Sequence, residues 1–373
     1  MADVYYSTNE YIEEIGREAL VYSNSKIDNG YDLWYFDPDN PISNGELIWI
    51  KYDEVTNKFV FPENASGLFY GAINECFNGT EPWDTSECTD MSYLFYGCTN
   101  LKNKGYYQDP ELYPTATEYS LRIEQFDTSN VTDMSHMFEE CINLENFDLR
   151  FWDTSKVTNM SYMFAVITSD HSNVKQNSIN VSYFDTSNVT NMSHMFYGFG
   201  STDYFHTIDV DSFDFSKVED ISYMLSLTHS GGWHPNNWDL SSCTDATRLF
   251  AGSHIYEMDI TDLDISNMDC TQMFSDCHYL TTVYLGEFGL SSTTSIDGMF
   301  YYCRQLESVY AAPGTDWSLY PQFPDYSTPF EYCENLHNWD GDSGLTNANN
   351  TKAGGFFMVE PKRWKTGIIY MKV

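Results

Sequence analysis

Phe126-Asp127-Thr128-Ser129-Asn130-Val131-Thr132-Asp133-Met134-Ser135-His136-Met137-Phe138 is the phrase on which the fold turns. It returns as Trp83-Asp84-Thr85-Ser86 through Leu94-Phe95, as Trp152-Asp153-Thr154-Ser155 through Met163-Phe164, and as Phe184-Asp185-Thr186-Ser187 through Met195-Phe196. Weaker copies start at Phe213-Asp214, Trp238-Asp239 and Leu263-Asp264, and others survive as Met299-Phe300-Tyr301-Tyr302-Cys303 and Phe330-Glu331-Tyr332-Cys333. The residue closing each phrase falls at Phe95, Phe138, Phe164, Phe196, Leu225, Phe250, Phe274, Phe300 and Phe330. Most gaps lie between 24 residues (Phe250 to Phe274) and 32 (Phe164 to Phe196), and the long gap after Phe95 marks an insertion at Lys102 to Leu121. Self-similarity at such a period is the mark of a solenoid, in which each repeat buries its apolar face against its neighbours.

Within one repeat, Asp-Thr-Ser is a turn-forming cluster whose short oxygens bond nearby backbone N–H groups. Val131, Met134, Met137 and Phe138 then make an apolar stripe that predicts about two helical turns, with Cys141 and Leu144 closing the buried set. Leu144 to Leu149 alternates apolar and polar residues as a strand does. The fold class expected is an α/β repeat, a leucine-rich-repeat-like solenoid with a parallel strand ladder and short helices. Non-repeat caps flank it: an N-terminal cap or docking domain at 1–62, the solenoid at 63–340, and a β-hairpin-like tail at 341–373. Inside the first cap, 11–20 reads as a short helix, and 45–52 with 58–61 as a hairpin. In the tail, 354–360 and 367–373 read as strands around the basic Pro361-Lys362-Arg363-Trp364-Lys365, the last pairing with the final repeat or a partner subunit.

The phrase and its continuation, FDTSNVTDMSHMFEECINLENFDL, resemble the repeat of BspA-like leucine-rich-repeat surface proteins, also common in mycoplasma lipoproteins. The resemblance covers roughly residues 63 to 340 and is strongest over 126 to 198. It implies an adhesive or host-interacting surface protein with no catalytic motif residue.

Composition narrows the function classes. The 373 residues carry 18 basic and 55 acidic side chains, a formal net charge of −37. No basic footprint for nucleic acid is present, and an anionic membrane would repel the chain. No stretch is long and apolar enough to span a bilayer. Aromatic residues make up 17% of the chain, with 29 Tyr and 25 Phe, enough ring surface for a packed or adhesive structure. Nine cysteines is an odd number, and Cys98, Cys141, Cys277, Cys303 and Cys333 share one slot three residues after the closing aromatic. A column of buried core thiols is expected there, close enough for oxidation to stay open.

Candidate chemistry follows from the same alignment. Asp84, Asp127, Asp153, Asp185, Asp214, Asp239 and Asp264 could line a calcium ladder, but turn caps are the stronger reading because the glycine-rich nonapeptides of calcium-binding solenoids are absent. No metal, cofactor or catalytic residue is assigned. Tyr93, His136, Tyr162, His194 and Tyr223 occupy the slot two residues before the closing aromatic, roughly 200° around a helix from the buried Met, and so point outward as a contact stripe. The function expected is a non-enzymatic structural and binding protein. Met1-Ala2-Asp3-Val4-Tyr5-Tyr6 shows no Sec-type leader, which fits a phage virion component such as a capsid decoration, head fibre or tail part. A cell-surface adhesin of a bacterium or protist is the alternative. A glycan hydrolase is disfavoured, since the repeated acids read as turn formers. Partners expected are other virion or surface proteins, with a host protein or glycan as target.

Overall fold

A computed structural model describes residues 51–53, 58–71, 83–99, 101, 104–106, 118–120, 123–144, 147–167, 179–200, 208–229, 232–265, 267–285, 295–310, 329–336 and 357–358. Contacts divide the chain into two units, Met1–Ser212 and Phe213–Val373.

In the first unit the closing segments of successive repeats lie in parallel register. The N–H groups of Met91, Tyr93, Phe95 and Gly97 donate to the carbonyls of Asp133, Ser135, Met137 and Glu139 at 2.8–2.9 Å. Those of Met134, His136, Phe138 and Glu140 donate to Asn159, Ser161, Met163 and Ala165, and those of Met160, Tyr162, Phe164 and Val166 to Asn191, Ser193, Met195 and Tyr197. The intervening N–H groups close tight turns on themselves: Leu94 to Met91, Tyr96 to Tyr93, Cys98 to Phe95. Alternate positions thus bond the next repeat and the intervening ones bond their own, leaving no donor of the run Met91 to Cys98 orphaned.

This arrangement corrects the helix expected for Val131 to Phe138. The apolar stripe is buried as expected, but the backbone is a run of turns in which His136 has φ 59° and Glu140 φ 61°. A left-handed residue every fourth position interrupts any α-helix, and in exchange frees alternate N–H groups for the inter-repeat ladder. Among the described residues the helical pieces are 3-10 turns, Ile123–Gln125 and Pro235–Asn237.

Strands are short. β1 (Lys51–Asp53) pairs antiparallel with β2 (Lys58–Val60), which runs parallel to β3 (Trp83–Asp84). The hairpin read at 45–52 and 58–61 is therefore present where it is described, whereas the helix read at 11–20 lies outside the described residues. β4 (Lys104–Tyr106) and β5 (Glu118–Ser120) form an antiparallel pair inside the insertion. β6 (Phe147–Asp148) runs parallel to β7 (Ile179–Asn180), where alternation predicted a strand. In the second unit β8 (Glu257–Ile260), β9 (Thr282–Leu285), β10 (Ser308–Tyr310) and β11 (Phe357–Met358) form a four-stranded parallel sheet in chain order. The tail strand β11 thus pairs with a late repeat; the one read at 367–373 lies outside the described residues.

Both cores are columns of like side chains. Phe69, Phe95, Phe138, Phe164 and Phe196 stack face to face with centroids 5.3–5.7 Å apart. In the second unit Phe250, Phe274, Phe300 and Phe330 do the same at 5.3–5.4 Å. The spacing follows from the ladder: parallel backbones set about 4.8 Å apart bring identical slots into van der Waals contact. Methionines at 91, 134, 160 and 192 fill the remaining volume without exposure.

Each Phe of a column therefore contacts its equivalents above and below. Phe138→Ala is expected to lose about 3–5 kcal/mol of stability, read as a lowered urea midpoint with little change in slope.

Candidate binding surface

The turn geometry also places the outward slot. In the turn Met91–Leu94 the third residue, Tyr93, has φ 56°, the type II signature that normally selects glycine. The same slot holds Gly67, His136, Tyr162, His194, Tyr223, Arg248, Gln272 and Gly298, all with φ between 55° and 65°. A side chain there carries strain of about 1–2 kcal/mol.

The side chains meet in a column. Tyr93 stacks on His136 with centroids 4.2 Å apart, His136 on Tyr162 at 4.6 Å, and Tyr162 on His194 at 4.1 Å, with interplanar angles of 7–9°. Tyr96 stacks on Tyr70 beside it at 4.6 Å. Four of the five stripe residues are thus brought together. The fifth, Tyr223, falls in the second unit, where Arg248 on the following repeat lies 5.6 Å over its ring and donates to Gln272 on the next. The slot is half-buried rather than fully outward, because it sits on a turn ladder and not a helix face; His136 is 20% exposed. Rings packed face to face leave only their edges toward solvent, and Nδ1 of His136 and of His194 lie on the buried side.

One charged partner sits under the column. Glu139 is buried and bonds Nδ1 of His136. Burial raises its carboxyl above the ordinary glutamate value, and the His136 bond opposes this in part. Burial first, then the Glu139 charge, pushes the Tyr96 phenol to about 12 and raises that of Tyr93.

The other candidate groups are engaged in structure. The Asp of each Asp-x-Ser turn accepts the N–H of the Ser two residues on, as Asp84 does from Ser86, Asp127 from Ser129, Asp153 from Ser155 and Asp185 from Ser187. Asp214 and Asp239 do likewise for Ser216 and Ser241. The serine hydroxyl and N–H hold Asp153 and Asp214 below the usual carboxylate range. A second acidic or amide slot (Asn64, Asp90, Asp133, Asn159, Asn191) caps its own turn in the same way and forms the parallel bridges between repeats. Among the described residues, no three His, Cys, Asp or Glu side chains come together as metal ligands.

The thiols are pinned. Cys98, Cys141, Cys277, Cys303 and Cys333 each donate to the carbonyl of the closing Phe of the preceding repeat at 2.9–3.1 Å. The eight described cysteines are buried thiols, none of them in a disulfide. Burial raises Cys141 and Cys303 well above the ordinary thiol range and Cys333 to about 12, so little reactive thiolate forms. The threonine of Asp-Thr-Ser does something the sequence alone does not disclose: buried Thr85, Thr128 and Thr154 donate to the carbonyls of Asp127, Asp153 and Asp185 on the next repeat, each at 3.0 Å.

The family model described as "Mycoplasma protein of unknown function, DUF285" matches residues 63–106, 110–233 and 234–341. The chain belongs to this family. Three matches in series agree with the internal repetition, and DUF285 membership covers most of the chain. No curated protein and no solved structure matches. No helix among the described residues of this DUF285 chain is long and apolar enough to cross a membrane.

Position 162 separates ring from backbone. Both glycine and alanine remove the ring there, but only glycine relieves the left-handed backbone. Tyr162→Gly is therefore expected to be more stable than Tyr162→Ala by about 1 kcal/mol in urea unfolding, the reverse of the usual order. For Glu139, a folded pKa above 4.5 means that the folded state holds its proton longer than the unfolded one. Its contribution falls as pH rises from 4.5 through the raised value, so urea midpoints of Glu139→Gln should gain on wild type across that window.

Proposed function

We propose that this chain is a non-enzymatic binding scaffold, a solenoid of BspA-like leucine-rich repeats displayed on a virion, which engages a partner macromolecule through its ring column. The carrying observation is the run Tyr93, His136, Tyr162 and His194. Four rings from successive repeats stand in one half-exposed column, each on a strained left-handed residue. Strain retained under four successive stacked rings, where glycine would remove it, is the kind of feature that function explains. Stacked tyrosine and histidine edges give rigid contact area at small entropic loss on binding.

The polar inventory supports the same reading. Carboxylates are held in turn caps, thiols donate to core carbonyls, and His136 is clamped between two tyrosines. These groups hold the repeats together rather than facing a common reaction centre. DUF285 is described as of unknown function, so membership points to no particular activity.

Peptide mass spectrometry of purified phage particles and of peptides shaved from intact cells of the source culture tests the display. Stoichiometric abundance in particles is the expected result. Recovery from shaved cells alone would move the protein to the cell surface as an adhesin, and recovery from neither would overturn display.

A further inference from the structure

The second unit carries an aromatic surface of a different kind. Histidines occupy the slot four residues after the closing residue on three successive repeats, His229, His254 and His278, and Arg304 takes it on the next. His229 packs edge-on to His254 at 4.3 Å, and His254 edge-on to Tyr279 at 4.9 Å, with interplanar angles of 84° and 82°. Tyr256 leans on Tyr279 at 5.7 Å and 44°. Beside them His278 approaches Tyr302 at 6.5 Å. Arg304 lies 4.3 Å over the Tyr302 ring and bonds its hydroxyl, and Tyr332 meets that ring at 65°. These contacts fix the rings before anything binds, and their tilt leaves faces open: Tyr256 is 55% exposed, Tyr332 42% and Tyr279 40%.

We propose that this Tyr256–Tyr279–Tyr332 surface, with His254, His278 and Arg304, binds a neutral oligosaccharide. It rests on the reading of the chain as a binding scaffold but uses a separate surface from the ring column. A pyranose ring has an apolar C–H face and a rim of hydroxyls that both donate and accept. Tilted open tyrosine faces suit the former through dispersion contact, whereas the face-to-face column of the first unit has spent its faces on itself. The rim finds Arg304 as donor, exposed Asp276 and Glu334 as acceptors, and imidazole with both functions. Burial and the neighbouring His278 lower the His254 pKa, which keeps that ring neutral and two-faced in this sense at neutral pH. Charge selects against acidic glycans: the chain is at −37, and exposed Asp276 and Glu334 lie two residues from His278 and Tyr332 along the chain. Every exposed ring here also carries a polar tip, and the exposed aliphatic side chain beside His229 is Leu227 at 37%, too little apolar surface for the dry centre of a protein interface.

Saturation-transfer difference NMR on the full chain tests this with maltohexaose, cellohexaose, chitohexaose and mannohexaose, each alone, and a heparin hexasaccharide as the polyanion. Saturation of the ring protons of at least one neutral hexasaccharide is expected. It should drop at least fivefold in Tyr279→Ser and Tyr332→Ser and stay unchanged in Tyr183→Ser, an exposed ring of the first unit. On the unmutated protein, the side-chain signals of His254 and His278 should shift on adding the same sugar, a readout independent of how the variants fold. Absence of transfer from all four neutral sugars overturns the proposal, as does transfer indifferent to Tyr279 and Tyr332. Transfer from the heparin fragment alone makes the patch a polyanion site. Binding of a host surface protein through these tyrosines without sugar transfer makes it a protein contact. None of these results depends on where the protein is displayed, so the two proposals fail separately.

Discussion

Parallel bonding between alternate backbone N–H groups and the next repeat is the constraint on which the rest of the structure depends. Once Met91, Tyr93, Phe95 and Gly97 donate forward to Asp133, Ser135, Met137 and Glu139, every slot in one repeat faces its own equivalent in the next. Identity then becomes an advantage in packing. Phe meets Phe at 5.3–5.7 Å down the first column, and each Cys three residues after a closing Phe finds the Phe carbonyl one repeat back. The constraint also explains why the polar residues recur. A turn repeated in register needs its cap repeated in register, which Asp-x-Ser supplies. Buried Thr128 and Thr154 fasten one repeat to the next through Asp153 and Asp185.

The same bonding scheme imposes a backbone that side chains resist. A left-handed residue every fourth position is natural for Gly67, Gly71, Gly97, Gly198 and Gly252, and unfavourable for Tyr93, His136, Tyr162 and His194. Stacking offsets it: each internal ring of the column has a neighbour on both faces, at about 0.5–1.5 kcal/mol per aromatic pair beyond area burial. Strain and contact are thus of similar size, which leaves the identity of the slot residue open to selection for something other than stability.

The repeat, its buried column and its turn caps are legible in the sequence, because Phe95, Phe138, Phe164 and Phe196 return with their Asp-Thr-Ser leaders intact. The turn ladder is not, and the reason is physical. Apolar positions three and four apart mark a ladder of tight turns as well as they mark two turns of α-helix, so Val131, Met134, Met137 and Phe138 do not separate the two. The discriminating signal lies in the glycines. Gly67 and Gly298 share the slot of His136, and Gly97, Gly198 and Gly252 that of Glu140; recurrent glycine in an aligned slot announces positive φ there for whichever residue replaces it. The ring column is legible for an imperfect reason: its register comes from the repeat, while its outward direction was inferred from a helix that does not form. The histidines at 229, 254 and 278 escape a reading of the sequence because the strongest phrases, at 126 to 198, carry Ile142, Thr168 and Gly200 in that slot.

The insertion between Phe95 and Phe138 shows how little the ladder asks of the chain between its rungs. Asp90 still bridges Asp133, and Phe95 still stacks on Phe138 at 5.4 Å, although the chain between them holds an antiparallel pair of its own. Most folds couple loop length to the geometry of the elements joined, so lengthening a connection displaces the next element. Here the return segment is decoupled from the register. A lineage could therefore vary these segments in length and content, exchanging whole surface features between generations, while the same thirteen-residue phrase keeps the body of the molecule unchanged.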